Sequence, residues 1–415
     1  MNILIVSQYF WPENFRINDL VLGLQERGHH ITVLTGLPNY PGGKLFSGYR
    51  YLNKLRDNFN GIDVLRAPLV TRGSGSGIRL AFNFFSFAVC ASLLGPVLCK
   101  DRIDAILIYE PSPIFVALPG IVMKKRKSAP LLFWMQDLWP ESLSATGAIR
   151  SKCILKLVEI MVRLIYLKCD RILAQSRAFY RSIVRLGGKA KYIYYYPNSA
   201  ESLYQPIAIE SDPPEKASLP TGFIITFAGN IGAAQDFETI LNAAEELRDH
   251  KDIHLVVLGD GRRFNWVQEQ VRRRGLERTV HLLGRHPAEQ MPRYFALSDA
   301  LLVTLRKDPI FALTIPSKIQ SYLACARPII AALDGEGARI IDESGAGISC
   351  AAEDPKALAD AILKLHGMTK IDRENMGQNG RKYFDDNFER EMLLNRLEGW
   401  MTELVLHRDA KSKIN

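Results

Sequence analysis

FIITFAGN at residues 223–230 is an apolar run that ends in a glycine and a polar residue. The pattern returns in HLVVLGDG (254–261), TVHLLGR (279–285), ALLVTLR (300–306), PIIAAL (328–333) and GISCAA (347–352). Short apolar runs separated by longer helical stretches are the pattern of a parallel sheet wrapped by helices. Upstream the same rhythm runs through NILIVSQYF (2–10), a helix near 17–28, ITVLTG (31–36), IDVLRAP (62–68), a helical stretch from 78, AILIYE (105–110), a helix near 113–125 and PLLFWMQ (130–136). The chain of 415 residues is too long for one ordinary core, so two doubly wound α/β domains are expected.

The first domain is placed over 1–197. A linker follows over 198–220, where prolines, serines and charges mix without a period; then come a second domain over 221–385 and a terminal helix over 386–415 that packs back on the first domain. In such folds a nucleotide is expected in the cleft between the domains, beyond the carboxyl ends of the strands.

The net charge of +9 is unevenly distributed: residues 1–200 carry 26 Lys and Arg against 12 Asp and Glu, or +14, which leaves −5 for the rest. The first domain therefore faces something anionic. The six cysteines show no metal-ligand spacing and suit a reducing cytoplasm. The start, MNILIVSQYF, has no basic region or cleavage site and reads as a first buried strand.

Candidate binding residues lie in the loops that follow strands. Asn14, Phe15 and Arg16 come after the first strand, and Gly229 and Asn230 after the strand at 223. Gly259, Asp260, Gly261 and Arg262 follow the strand at 254, and Arg285 follows the strand at 279. Glycine at these places lets backbone amides approach a phosphate, although a Gly-Asp-Gly triplet is also an ordinary tight turn. Pro316 fits the opening of a helix, which puts Ser317 and Lys318 in its first turn and Ser321 one turn on. A lysine there opposes the helix dipole by roughly 0.3–1 kcal/mol unless an anion lies between it and the free amides. A diphosphate would be that anion; a solvated surface lysine is the alternative.

Arg306 and Asp308 add a cation for a diphosphate oxygen and a carboxylate for a sugar hydroxyl, or else form an exposed ion pair. Glu336 in Gly335-Glu336-Gly337 can accept from sugar or ribose hydroxyls, or simply belong to a turn. In the first domain PLLFWMQDLWPES ends a buried strand with Gln136, Asp137 and Glu141, and Glu110 repeats the arrangement one strand earlier. Asp137 is the catalytic candidate, with the N-cap of the next helix as its alternative.

LAFNFFSFAVCASLLGPVLC (80–99) is long enough to cross a membrane. Its polar residues and its place within the alternating pattern favour a helix lying on the membrane instead. Together with 79–102, the basic clusters at 124–127 and 150–168 outline a face for an anionic membrane surface. A core helix with a solvated basic rim is the alternative. The basic excess falls among aliphatic residues, without interleaved aromatics or a known module, which argues against nucleic acid.

YFWPE, RGHHITVLTGLPNYPGG, QDLWPES, YYYPNS, FAGNIG, LVVLGDG, VHLLGR, TIPSKIQSYLACARPIIAAL and AGISCAAEDPKALADAI resemble, in order, segments of the GT-B retaining glycosyltransferases of family 4. YFWPENFRINDL and PNYPGG are similar to the subgroup that transfers N-acetyl-L-fucosamine or related acetamido sugars to undecaprenyl-diphosphate-linked intermediates of O-antigen or capsule. The resemblance implies a GT-B fold, a UDP-sugar donor, an undecaprenyl-diphosphate-linked acceptor, no cofactor, no metal, and a cytoplasmic protein bound peripherally to the inner membrane. The family's paired glutamates would fall near Leu313 and at Ser321, its arginine and lysine clamp near Asn230 and Gln235, and its first-domain histidine is absent from FWMQDLWPE. Lys318, helped by Arg306 or Arg262, is expected to replace the clamp. The same fold also hosts sugar-nucleotide epimerases, and a catalytically silent membrane partner is a third reading.

Overall fold

The computed structural model describes all residues except 52, 74, 76, 146–148, 150, 210–212 and 413–415. The chain divides into two compact units, Met1–Pro197 with Glu391–Asn415, and Asn198–Arg390.

In the first unit the strands are β1 (Asn2–Val6), β2 (His30–Gly36), β3 (Arg56–Phe59), β4 (Ile62–Ala67), β5 (Ala105–Glu110), β6 (Leu131–Met135), β7 (Arg171–Ala174) and β8 (Ile193–Tyr195). They form one sheet in the order β3-β4-β2-β1-β5-β6-β7-β8, parallel except for the β3–β4 pair. The helices are α1 (Arg16–Glu26), α2 (Gly77–Leu98), α3 (Ala117–Lys127), α4 (Glu141–Ala145), α5 (Lys152–Lys168) and α6 (Phe179–Arg185). Strands β1, β5 and β6 are buried on both faces and are correspondingly apolar along their length. The strands β3, β7 and β8, read RDNF, RILA and IYY, are not among the apolar runs found in the sequence.

The second unit has the six-stranded parallel sheet β11-β10-β9-β12-β13-β14. Its strands are β9 (Phe223–Ala228), β10 (Ile253–Leu258), β11 (Val280–Gly284), β12 (Ala300–Thr304), β13 (Ile329–Ala332) and β14 (Gly347–Cys350). Its helices are α7 (Phe237–Glu246), α8 (Phe264–Arg273), α9 (Met291–Ala296), α10 (Pro309–Leu313), α11 (Ser317–Ala324), α12 (Glu336–Ser344), α13 (Pro355–His366) and α14 (Lys370–Asn387). In each sheet the chain winds outward one way and then the other. The order reverses between β1 and β5 and between β9 and β12, which is where such sheets bind ligands.

The segment after Pro197 is no free tether. From Asn198 it packs with the second unit, where Glu215 is buried beside Arg293 and Ser218 meets the Tyr294 hydroxyl at 3.4 Å. The last helix, α15 (Arg390–Ser412), starts four residues later than its expected domain. It puts Leu393, Leu394, Leu397 and Met401 into the core formed by β1, β2, β5 and α1. Arg27 clamps it through Glu391 and Glu398 at 2.7 and 2.9 Å.

The α2 helix is half in and half out of the first unit. Asn83, Phe87, Ala88, Ala91 and Gly95 face inward, and Gly95 has no Cβ because Leu34 Cδ2 would stand 2.8 Å from it. Asn83 is fully buried and completely engaged: it accepts from Gln8 Nε2 at 2.8 Å and donates to the Val70 carbonyl at 2.6 Å. A buried amide thus anchors this helix to the ends of two strands. Replacing Asn83 with Leu leaves the Gln8 amide and the Val70 carbonyl without their partner. Urea unfolding should then show a loss of about 1–3 kcal/mol.

Candidate functional site

In the second unit the site grows from backbone proximity. A Cβ on Gly259 would lie 1.9 Å from the Gly229 carbonyl oxygen, and one on Gly261 would lie 2.4 Å from that of Ile231, so only glycine lets the loops after β9 and β10 touch. They are stitched by Ile231 N donating to the Asp260 carbonyl at 2.9 Å and Arg263 N donating to the Ile231 carbonyl at 3.0 Å. Gly335 approaches the α10 backbone equally closely, its Cβ position being 2.0 Å from the Ala312 carbonyl oxygen. A Cβ on Gly337 would sit 3.4 Å from Pro316 Cδ. The loop after β9 and the starts of α11 and α12 therefore share one edge of the sheet.

Lys318 lies at the centre of this edge. Pro316 stands at the N-cap position without a side-chain bond, and Lys318 is the second residue of α11. Its Nζ lies 4.3 Å from the centre of the Phe227 ring, and its Cε lies 2.8 Å from where Gly229 would carry a Cβ. Among the described residues no carboxylate pairs with it, and burial alone pushes its pKa down to about 8. A desolvated ammonium beside a helix N-terminus, with no counter-ion, is arranged for an incoming anion. Arg262 and Arg285 are exposed and also unpaired among the described residues. Gly229, Asn230 and Asp260 are exposed on the same loops, and Ser317 opens α11.

Four of the other expected donor residues are otherwise engaged. Asp308 is not free for a sugar hydroxyl: its Oδ1 caps α10, accepting from Ile310 N at 2.8 Å. Arg306 pairs with Glu353 at 3.3 Å, and not with Asp308. The Ser321 hydroxyl turns back onto the Ser317 carbonyl at 3.4 Å. Glu336 is buried, and Arg339 holds its two oxygens at 2.9 and 3.0 Å. Three of these are local helix contacts and the fourth, Arg306 with Glu353, is a distant ion pair, none of which residue type alone reveals.

In the first unit Glu110, Gln136 and Asp137 do come together, at the adjacent ends of β5 and β6, where Gln136 N donates to the Glu110 carbonyl at 2.9 Å. Glu110 is fully buried, and among the described residues neither carboxyl oxygen has a well-aligned hydrogen bond, although the amides of Gln136 and Asp137 lie toward it. Burial, reinforced by the charge of Asp137, raises its pKa well above the carboxylate range. Asp137 is raised as well, mainly by burial, against the hydrogen bonds that favour its ionised form. Its Oδ2 accepts from Ser142 Oγ at 3.1 Å and Trp139 Nε1 at 3.2 Å, so side chains, more than a helix-capping role, fix it. Glu141 is held by Arg185 at 2.6 Å.

A second polar cluster over β1, β2 and β4 went unnoticed in the sequence reading. Glu13 is buried, and its Oε1 accepts from the amides of Asn39 and Tyr40, both at 2.7 Å, which ties the loop after β1 to the loop after β2. Beneath it the fully buried Arg66 donates to the carbonyls of Trp11 and Gly36 and to Asp57 Oδ2 at 2.7, 3.2 and 3.1 Å. Phe15 stacks on Tyr9 at 5.0 Å, Tyr40 tilts against both rings, and the Arg72 guanidinium lies 4.9 Å from the Tyr40 ring while donating to the Tyr9 hydroxyl at 2.7 Å. Asn14 is exposed beside this cluster, and Arg16 is the first residue of α1. An arginine inside the apolar strand IDVLRAP and a glutamate among the aromatics of YFWPE were the available signals.

Burial raises the Glu13 pKa to about 7, against the three backbone amides that favour its charge. Stability from its protonated form is complete below the unfolded-state value near 4.5 and is lost as pH rises through about 7. Glu13→Gln keeps an oxygen for the two amides and removes the titration. Thermal melts between these pH values should flatten in the variant relative to wild type.

Among the described residues no three His, Cys, Asp or Glu side chains are grouped to hold a metal ion. Residues 14–199 match the glycosyl transferase 4-like domain, and residues 222–367 match glycosyl transferases group 1. A probable glycosyltransferase WbjE of Pseudomonas aeruginosa is 27% identical over 349 residues, covering 81% of this chain and 82% of that protein. A putative colanic acid biosynthesis glycosyl transferase, WcaI of Escherichia coli K12, is 26% identical over 340 residues, covering 78% and 81%. Among solved structures, Anabaena Alr3699/HepE in complex with UDP aligns with a TM-score of 0.71 at 15% identity over 97% of this chain and all of that one. Sucrose-phosphate synthase from Thermosynechococcus elongatus aligns with a TM-score of 0.74, also at 15% identity, over 98% and 99%. With both halves of the chain matched to glycosyltransferase domains and the two parallel-sheet units in place, the protein belongs to the GT-B glycosyltransferases.

Proposed function

We propose that the protein is a retaining transferase that moves a sugar from a UDP-sugar to an undecaprenyl-diphosphate-linked saccharide during assembly of O-antigen, capsule or a related exopolysaccharide. The observation that carries this reading is Lys318, a desolvated cation with no carboxylate partner among the described residues, at the N-terminal turn of α11 and against Gly229. The UDP in the Anabaena HepE structure and the colanic acid role in the name of the E. coli relative agree with the donor and the pathway class. The donor sugar is N-acetyl-L-fucosamine or a similar acetamido sugar.

In this reading the diphosphate lies on the α11 amides with Lys318 against it, while Arg262 and Arg285 supply further charge. These fixed donors stabilise the negative charge that grows as the bond from the anomeric carbon to the diphosphate oxygen breaks. The acceptor hydroxyl forms its new bond on the same face of the sugar, and its proton passes to a diphosphate oxygen. No metal enters this scheme. Asp137, oriented by Ser142 and Trp139, positions the acceptor, with Gln136 and Glu110 around it.

The acceptor reading places the protein on the cytoplasmic face of a membrane, bound through the first unit. On α2 the side chains of Ile78, Phe82, Phe85, Val89, Leu93 and Val97 are all exposed, and on α5 so are Ile154, Leu157, Ile160, Leu164 and Leu167. Phe82 is 60% and Leu157 66% exposed, so each helix presents an apolar stripe outward, which supports contact with an apolar phase. The α3 helix lies beside both and ends in Lys124–Lys127, while Lys152, Lys156 and Lys168 flank the α5 stripe. Arg150, counted in the basic stretch, lies outside the described residues. Apolar side chains bordered by bases suit the boundary between acyl chains and anionic headgroups.

Incubation with UDP-N-acetyl-L-fucosamine and an undecaprenyl-diphosphate-linked acetamido sugar should add one sugar to the lipid, read by its mass. Lys318→Ala should weaken UDP binding about 10- to 100-fold, the worth of a hydrogen bond to a charged group. Wild-type affinity should fall as pH rises through about 8, where Lys318 loses its proton, and this dependence should vanish in the variant. Asp137→Asn should slow transfer while leaving UDP affinity intact. UDP binding that is indifferent to Lys318 would overturn the donor site.

A further inference from the structure

The first unit holds a cavity of about 760 Å³ at the amino ends of β6, β7 and β8, the edge of the sheet opposite to Glu110 and Asp137. Its wall includes Arg171, Lys189, Tyr194, Leu167 and, from α15, Glu403 and His407. Its size falls within the range of small-molecule sites. No role in the transfer reaction accounts for it.

The charges inside do not cancel. Asp170 is consumed by Lys124 Nζ at 2.6 Å and the Leu131 amide at 2.7 Å. Glu403 is neutralised by Arg171 Nη2 at 2.5 Å. Arg171 is almost completely buried, its guanidinium lies 4.7 Å from the Tyr194 ring, and its enclosed Nη1 has no hydrogen-bond partner among the described residues. A buried guanidinium nitrogen without a partner is costly in a native protein. Lys189 is exposed at the wall and pairs with no carboxylate among the described residues. Lys189 leaves the wall with a positive surplus, which suits an anionic ligand.

The position of the cavity says where that ligand comes from. Leu167, part of its wall, is the last exposed leucine of the α5 stripe, and Lys124 belongs to the basic end of α3. We propose that the cavity is a headgroup subsite for an anionic phosphoglyceride, with the phosphodiester at Lys189 and the acyl chains leaving along Leu167 and the apolar side of α5. This rests on the membrane reading above and adds a discrete lipid contact to it. The lipid then orients the first unit on the surface, beyond what scattered bases achieve.

The test is co-sedimentation of the full chain with phosphatidylcholine vesicles, with and without phosphatidylglycerol. Lys189→Ala is compared with Lys125→Ala, an exposed lysine of α3 that does not line the cavity. A general surface charge contributes alike from either lysine, about fivefold in binding. A subsite predicts a clearly larger loss of phosphatidylglycerol binding for Lys189→Ala, persisting in salt that screens the Lys125 effect. Circular dichroism of Lys189→Ala confirms that the fold is kept. Equal losses from Lys189→Ala and Lys125→Ala would overturn the subsite and leave the membrane reading standing. Wild-type chain that ignores both vesicle types, with Leu157→Glu making no difference, would overturn both. Tight calorimetric binding of soluble glycerol 1-phosphate that depends on Lys189, without a Lys189 effect on vesicles, would overturn the lipid assignment in favour of a soluble phosphate ester.

Discussion

Apart from the β3–β4 pair both sheets are parallel, their central strands are covered on both faces, and this burial governs where chemistry can sit. Along β1, β5, β6, β9 and β10 nearly every side chain is enclosed, so a charge there would be stranded unless fully paired. On the neighbouring strand β4 the buried Arg66 shows the cost, since it needs two carbonyls and Asp57 to be accommodated. Polar side chains collect where the strands stop. Lys318, Glu110, Asp137 and Glu13 all stand at carboxyl ends of parallel strands or on the loops that follow them, and the cavity around Arg171 occupies an amino end.

At those ends the same low-dielectric surroundings act on groups of opposite sign. Burial lowers the Lys318 pKa and raises those of Glu13, Glu110 and Asp137, so each moves toward its neutral form. A lysine brought near neutrality costs the empty protein little and gains a full charge when an anion arrives. Glu110, without a properly formed hydrogen bond, is a desolvated acid beside Asp137, and the pair resists holding two negative charges. Paired sites of raised acids and lowered bases are what transfer chemistry uses, although packing alone also produces them.

The first unit departs from the rule that helices hide their apolar side. Helices α2 and α5 each bury one face against the sheet and show a second apolar stripe outward. Asn83 keeps α2 within the fold, and Arg171 and Glu403 fasten α15 at the far edge, so the outward stripes sit on a rigid base. Such a face costs solubility and is retained where it meets something apolar.

The sequence by itself determined the class of fold, because apolar runs of strand length alternating with helical stretches admit only parallel sheets wrapped by helices. It also determined that Lys318 opposes a helix dipole, since Pro316 marks the helix start. It brought Glu110, Gln136 and Asp137 to notice as polar ends of buried strands. What it left undecided were the partners. Asp308, Arg306, Ser321 and Glu336 have the residue types of ligand contacts, yet each is claimed by a neighbour at a helix end or, for Arg306, by Glu353, 47 positions away. Glu13 found its two amides 26 and 27 residues downstream, and Arg171 met Glu403 across most of the chain. Residue type and spacing report what a side chain is able to bind. Only the packed structure decides which acceptors and donors are already taken, because hydrogen bonds and ion pairs are settled over a few ångströms and the sequence carries no record of those distances.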